Sequence, residues 1–160
     1  MPVYLFTFHA YRSWMPDHEE GFVRRGEGVL PQNQALSNIY RQQASDSEVD
    51  FEADIQGILI DEVQVASGKQ DYELHFVATD STHLHVLLSW RSDKTWQQVR
   101  RGLKTSISLR LIRELGERPW LSEGASRKRV KDQSHFDHLI RTYLPKHRGW
   151  KWQTGRGLFK

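Results

Sequence analysis

The amino-acid sequence predicts an α+β protein, an antiparallel sheet with helices on one face and a further helix near the C-terminus. Three observations carry that prediction. Runs rich in aromatic, β-branched and other apolar residues occur at 3–11, 71–79 and 82–88, in the manner of strands. Apolar positions recur at helical spacing from about Asp54 to Gly68, from Thr95 to Gly116 and after Ser134, the mark of amphipathic helices. Only Asp80-Ser81 separates the second run from the third, so these two pair as an antiparallel hairpin. The resulting order is strand, helix, strand, strand, helix, a basic excursion and a last helix, as in ferredoxin-like sheets.

Each element has its own warrant. Val3 to Tyr11 is the first strand, and Gly21, Gly26, Gly28 and Pro31 then keep residues 13–31 in loop. Trp14, Phe22, Arg24 and Arg25 in that loop can stack on bases and hold phosphates, or the two aromatics can tuck the loop onto the core. Pro31 to Gln43 is expected to be a short helix with proline in its first turn, and Ser45 to Glu48 a linker. Ile55, Ile58, Leu59, Val63 and Ala66 define the next helix, which Gly68 is expected to stop. Along Asp71 to Thr79, Tyr72, Leu74 and Phe76 share one face, with Glu73, His75 and Val77 on the other. In the strand that follows, His83 and His85 project from one face and Leu84, Val86 and Leu88 from the other. His75 is expected near that pair.

Thr95-Trp96-Gln97-Gln98 has the form of a capping box. The helix it opens sets Val99, Leu103, Ile107, Leu111 and Leu115 toward the core and Arg100, Arg101, Lys104, Arg110 and Arg113 elsewhere. A short strand is expected near Lys128 to Val130. Ser134 is read as the cap of the last helix, whose Phe136, Leu139, Ile140 and Tyr143 share a face. Pro145 removes a backbone donor, so that helix ends or kinks there. The tail from Gly149 to Lys160 can pack, fray or touch a ligand.

Composition narrows the function. At 160 residues the whole of 1–160 reads as one domain, and 38% hydrophobic with 27% charged residues is a folded, globular balance. The absence of cysteine excludes disulfides, thiolate metal sites and cysteine nucleophiles, and it fits a cytoplasmic setting. No apolar run approaches a membrane span, and the N-terminus reads as a strand and not as a signal peptide. Charge is segregated. Residues 1–99 hold 7 Lys/Arg against 15 Asp/Glu, a net −8, whereas 100–160 hold 16 against 5, a net +11. A basic half is the footprint of a polyanionic partner, nucleic acid first. The candidate phosphate contacts are Arg100, Arg101, Lys104, Arg127, Lys128, Arg129 and Lys131.

The chemistry centres on His83 and His85. Two imidazoles on one strand face are ready metal ligands, though hydrogen-bonded histidines of no catalytic role give the same pattern. Tyr143 lies on the last helix and His147 is four residues on, hence on the same face if the helix passes Pro145. A phenol with a free pKa near ~10 is a poor nucleophile. Beside a divalent cation that polarises a phosphodiester, its attack on phosphorus becomes feasible. Taken singly, Tyr143 also reads as a core residue and His147 as part of a solvated basic end.

In combination, the His83-Leu84-His85 strand followed some sixty residues later by Tyr143 and His147 resembles the single-tyrosine HUH transposases. These include the insertion-sequence and REP-associated tyrosine transposases. Leu5-Thr7-Phe8-His9-Tyr11 with Ser13 to Asp17, and Ser126 to Asp132, resemble the latter group. The resemblance spans Val3 to His147. It implies a ferredoxin-like transposase domain that cuts and rejoins single-stranded DNA, usually beside a hairpin, through a 5′-phosphotyrosine. It implies Tyr143 as nucleophile, with His83 and His85 as ligands of Mg²⁺ or Mn²⁺. Relatives commonly carry Gln or Asn as a third ligand where this chain has His147, which favours softer cations. Relatives also often have Asn where this chain has Thr82, and they include both monomers and homodimers. Two other readings stay open: a non-catalytic binder of single-stranded or hairpin DNA, and a phosphodiesterase that activates water at His83 and His85.

Overall fold

A computed structural model describes residues 1–13, 22–24, 28–30 and 47–160. Its main sheet has six antiparallel strands in the order β6-β1-β5-β4-β7-β8. These are β1 (Val3–His9), β4 (Tyr72–Thr79), β5 (His83–Trp90), β6 (Ser126–Arg129), β7 (Lys151–Gln153) and β8 (Gly157–Phe159). Between β1 and β4 runs α1 (Ala53–Gln70), and between β5 and β6 runs α2 (Trp96–Leu115). The β1-α1-β4-β5-α2-β6 path with spatial order β6-β1-β5-β4 is the ferredoxin-like arrangement. Within the segment expected to be loop, β2 (Phe22–Arg24) pairs with β3 (Gly28–Leu30) as a small separate hairpin. Trp14, Arg25 and the helix expected over 31–43 lie outside the described residues.

Strand alternation divides the sheet into two unlike faces. Tyr4, Phe6 and Phe8 of β1 pair with Leu88, Val86 and Leu84 of β5, and these six join Leu59, Ile60, Val63, Val99, Leu103, Ile107 and Leu111 of the helices in one core. Of the helix positions read from sequence, Leu115 is 41% exposed, because it falls in the last turn beyond the sheet. Arg110 of α2 bonds Asp61 and Glu62 of α1 at 2.9 and 3.0 Å and Glu114 at 2.6 Å. That residue ties the two helices together and is not a spare phosphate contact.

The other face carries Leu5, Thr7 and His9 against Leu87, His85 and His83. β4 reaches it through an irregularity. Leu74 pairs with Leu88 but Phe76 pairs with Leu87, so His75 is an extra residue in a bulge. Phe76 therefore joins Leu5 and Leu87 on this face, opposite to Tyr72 and Leu74, which corrects the simple alternation expected for this strand.

Helix ends follow local chemistry. Thr95 and Gln98 exchange both capping-box bonds at 2.8 and 3.2 Å. Gly68 does not stop α1; the helix runs two residues further to Gln70, and Asp71, with a φ of 58°, ends it. The C-terminal helical layer covers the second face. It starts as α3 (Gln133–His138), with Asp132 and not Ser134 as its cap, accepting from the His135 amide at 2.8 Å. It continues as a widened π turn over Leu139–Tyr143 and a tight 3₁₀ turn over Leu144–Lys146. In the π turn the Leu144 amide bonds the Leu139 carbonyl, five residues back. Pro145, lacking a donor, sits in the terminal turn, and the chain is extended at His147.

The tail then returns to the sheet. β7 pairs with β4 and β8 with β7. At the entry to β7 the Gly149 amide bonds the Thr79 carbonyl at 3.0 Å, and the Thr79 amide bonds the Trp150 carbonyl at 3.1 Å. A Cβ at Gly149 would stand 2.4 Å from the Thr79 carbonyl oxygen, so this approach requires glycine.

Candidate active site

The site forms where the second face of β5 meets the C-terminal helical layer. His83 and His85 are two residues apart on β5, with ring centres 4.7 Å apart. His147 lies 4.5 Å from His85 and 5.4 Å from His83. Tyr143 completes the group, 5.6 Å from His85 and 5.2 Å from His147. One ring nitrogen from each of the three histidines lies within 4.8 Å of the others, a spacing that a single ion can bridge with small side-chain adjustments. The helix does end after Pro145. His147 still reaches the group because the π turn, the 3₁₀ turn and the β7 junction carry it there.

Hydrogen bonds orient all three rings. Thr7 Oγ1 holds His85 Nδ1 at 2.8 Å and Thr82 Oγ1 holds His83 Nδ1 at 2.9 Å. His147 Nδ1 is 3.1 Å from the Leu144 carbonyl. A carbonyl only accepts, so Nδ1 of His147 carries a proton, and the tautomer that offers a lone pair does so at Nε2. In each ring the bonded nitrogen is Nδ1, which leaves Nε2 for a ligand. His85 Nε2 is buried and has no hydrogen-bond partner. That is costly unless something occupies it.

Electrostatics keep the two strand histidines neutral. Burial, reinforced by His147 and opposed by Asp80, lowers the His83 pKa to about 4. Burial, then His83 and His147, lowers that of His85 to about 2. Neutral imidazoles are the ligand form. Three imidazole nitrogens suit Mn²⁺ and other transition-metal ions better than Mg²⁺, which prefers oxygen ligands and keeps its waters.

Several contributors escape sequence reasoning. Lys151 is 4% exposed, and its ammonium donates to the His147 and Gly149 carbonyls at 2.8 and 2.9 Å. It fixes the backbone from which the His147 ring projects. Lys146 Nζ stands 4.9 Å from the Tyr143 ring centre, and His9 packs 6.0 Å from His83. A lysine in a glycine- and arginine-rich tail gives no sign that it is buried. Thr7 is legible only once β1 is paired with β5.

Other expectations resolve differently. His75 does not join the pair. It bonds Ser89 Oγ at 2.9 Å and packs on Phe136, toward the opposite end of β5. The basic residues do not form one patch. Arg127 and Arg129 pair with Phe6 and Tyr4 and belong to the helical face, whereas Lys128 pairs with Leu5 and belongs to the site face. Arg127 and Arg100 stack over Trp96 at 4.0 and 5.0 Å. Arg100 and Lys104 also bond the carbonyls of Ala125 and Gly124 at 2.9 and 3.5 Å. Arg101 and Lys131 are exposed.

No family model matches the chain, and no curated protein does. Among solved structures, the chain is similar to a REP-associated tyrosine transposase bound to a REP hairpin, at 10% identity and a TM-score of 0.48. The match covers 87% of this chain and 62% of that one, so the chain spans less than two thirds of that protein's length. No helix among the described residues is long and apolar enough to cross a membrane.

Proposed function

We propose that the protein is a metal-dependent endonuclease and strand transferase, a transposase-type enzyme acting on single-stranded or hairpin DNA with Tyr143 as nucleophile. The observation that supports this reading most is the packing of the Tyr143 ring against His85 and His147, where three imidazoles converge. His83, His85 and His147 are the proposed ligands, for Mn²⁺ in preference to Mg²⁺. The cation, when bound, polarises the phosphodiester and so lowers the barrier to attack. Tyr143 Oη forms a bond to phosphorus as the bond from phosphorus to the 3′ oxygen breaks. The phenol proton passes to solvent, and the departing 3′ oxygen takes one up. The 5′-phosphotyrosine keeps the energy of the broken bond, so a second 3′-hydroxyl can reverse the step and join strands. Arg101, Lys128, Arg129 and Lys131 are exposed cations suited to the phosphate backbone, without reading sequence and with affinity that falls with salt.

Labelled single-stranded oligonucleotides incubated with Mn²⁺ test the reading. A covalent protein–DNA adduct that is lost in Tyr143→Phe supports it. Binding without an adduct in the native chain overturns it in favour of a non-catalytic DNA-binding protein. Hydrolysis that survives Tyr143→Phe overturns it in favour of a water-activating phosphodiesterase.

A further inference from the structure

Beside Tyr143 a cleft of about 290 Å³ opens between the β1–β6 edge and the C-terminal helical layer. Leu5, Thr7, Lys128, His135 and Leu139 line it together with Tyr143. Its chemistry is one-sided. The ionisable side chains that reach it are lysine, histidine and the tyrosine itself. Arg127 borders it only through its backbone and turns its guanidinium to Trp96 on the other face. Among the described residues no carboxylate lines it. Leu5 and Leu139 are buried and give it an apolar wall. Lys128 is exposed and reaches this face because β6 pairs it with Leu5. His135 is set as a donor: the Lys131 amide donates to its Nδ1 at 3.1 Å, so the neutral ring carries its proton on Nε2. Two donors beside an apolar wall match a phosphate followed by a sugar or base, and the volume suits a single nucleotide.

Resting on the reading of Tyr143 as nucleophile, we infer that this cleft seats the nucleotide on the 5′-phosphate side of the cut, with its phosphate on Lys128 and His135. The side follows from the geometry of displacement at phosphorus. Attacking and leaving oxygens stand roughly in line, so the strand that departs with a 3′-hydroxyl leaves on the side away from the phenol. The strand that stays joined to Tyr143 leaves phosphorus through an equatorial oxygen, to the side of the line of attack, and the cleft flanking the phenol is open to it. His135 is thereby a binding residue for the retained strand. Sequence reading passed it over, because it sits one residue after Ser134 and carries no motif.

The test compares two 3′-fluorescein-labelled decamers of randomised sequence, one with a 5′-phosphate and one with a 5′-hydroxyl. Their binding to the Mn²⁺-loaded protein is followed by anisotropy. The 5′-phosphate is expected to tighten binding roughly tenfold, the worth of one good charged hydrogen bond. That advantage disappears in Lys128→Ala and shrinks in His135→Ala, while Lys69→Ala, an exposed change on α1, leaves it intact. The inference is overturned if the native protein shows no preference, or if Lys128→Ala weakens both decamers equally. Adduct formation on the same proteins reports separately on Tyr143. A Lys128-dependent preference without any adduct supports the phosphate seat while removing the catalytic reading. An adduct without the preference removes the seat and leaves the catalytic reading standing.

Discussion

The two faces of the sheet are built by the same strands to opposite ends. On the helical face, Phe6, Phe8, Leu84, Val86 and Leu88 are fully or almost fully buried and carry no polar atoms. One residue along each strand, on the other face, stand Thr7, His9, His83 and His85. His85 is buried as well, at 4% exposure, yet it presents a buried nitrogen without a partner. The first face lowers the free energy of the fold; the second gives part of that back to hold neutral imidazoles together. Stability and chemistry are thus separated by the period of a strand, not by distance along the chain.

The sharpest way to break this contrast is to change one residue on each face. Tyr143→Phe is expected to abolish the covalent DNA adduct while leaving thermal unfolding almost unchanged, as read by gel and by calorimetry on one preparation. Phe6→Ala should do the reverse in kind, costing about 3–5 kcal/mol of stability in denaturant titrations because it opens a cavity under both helices. If Phe6→Ala were neutral and Tyr143→Phe unfolded the protein, the division of labour would be wrong.

Gly149→Ala probes the junction that carries His147 to the site. The added methyl meets the Thr79 carbonyl oxygen, and the expected cost is roughly 1–3 kcal/mol. A fall in Mn²⁺ affinity by titration calorimetry should accompany it.

Acid should act through the site face. The unfolded chain begins to protonate its histidines near pH ~6.5, whereas His83 resists until about 4 and His85 until about 2. Over that window the unfolded state binds more protons, so this contribution to stability is complete above the unfolded pKa and is lost as pH falls. Melting temperatures measured from pH 7 to pH 4 should therefore decline, and less steeply in His83→Asn/His85→Asn. A metal-loaded sample should show the decline together with release of the ion.

The smallest effect is expected at the start of the tyrosine-bearing layer. Asp132→Ala removes the cap of α3 and should cost about 1 kcal/mol. Hydrogen exchange would locate the loss in residues 133–143, with the helical face of the sheet unchanged.

Much of this was legible in residues. The β4–β5 hairpin, the capping box of α2 and the shared projection of His83 and His85 follow from local patterns of period and turn chemistry. Other features were not. The bulge at His75 shifts Phe76 across the sheet, and no pattern of apolar residues announces an extra residue in a strand. Asp71, not Gly68, ends α1, because an exposed glycine can remain helical when packing favours another turn. The tail gave no firm strand signal, since three-residue strands are set by the edge they pair with.

By itself the sequence determined the fold class, the pair of histidines on one strand face and the segregation of charge, because each depends on spacing within a single element. Tertiary structure alone decided that Tyr143 and His147 meet that pair after the helix has ended, and that Lys151 is buried beneath them. It also decided that the basic run of β6 is divided between two faces. Those outcomes depend on how elements far apart in the chain pack and pair, which local spacing does not encode.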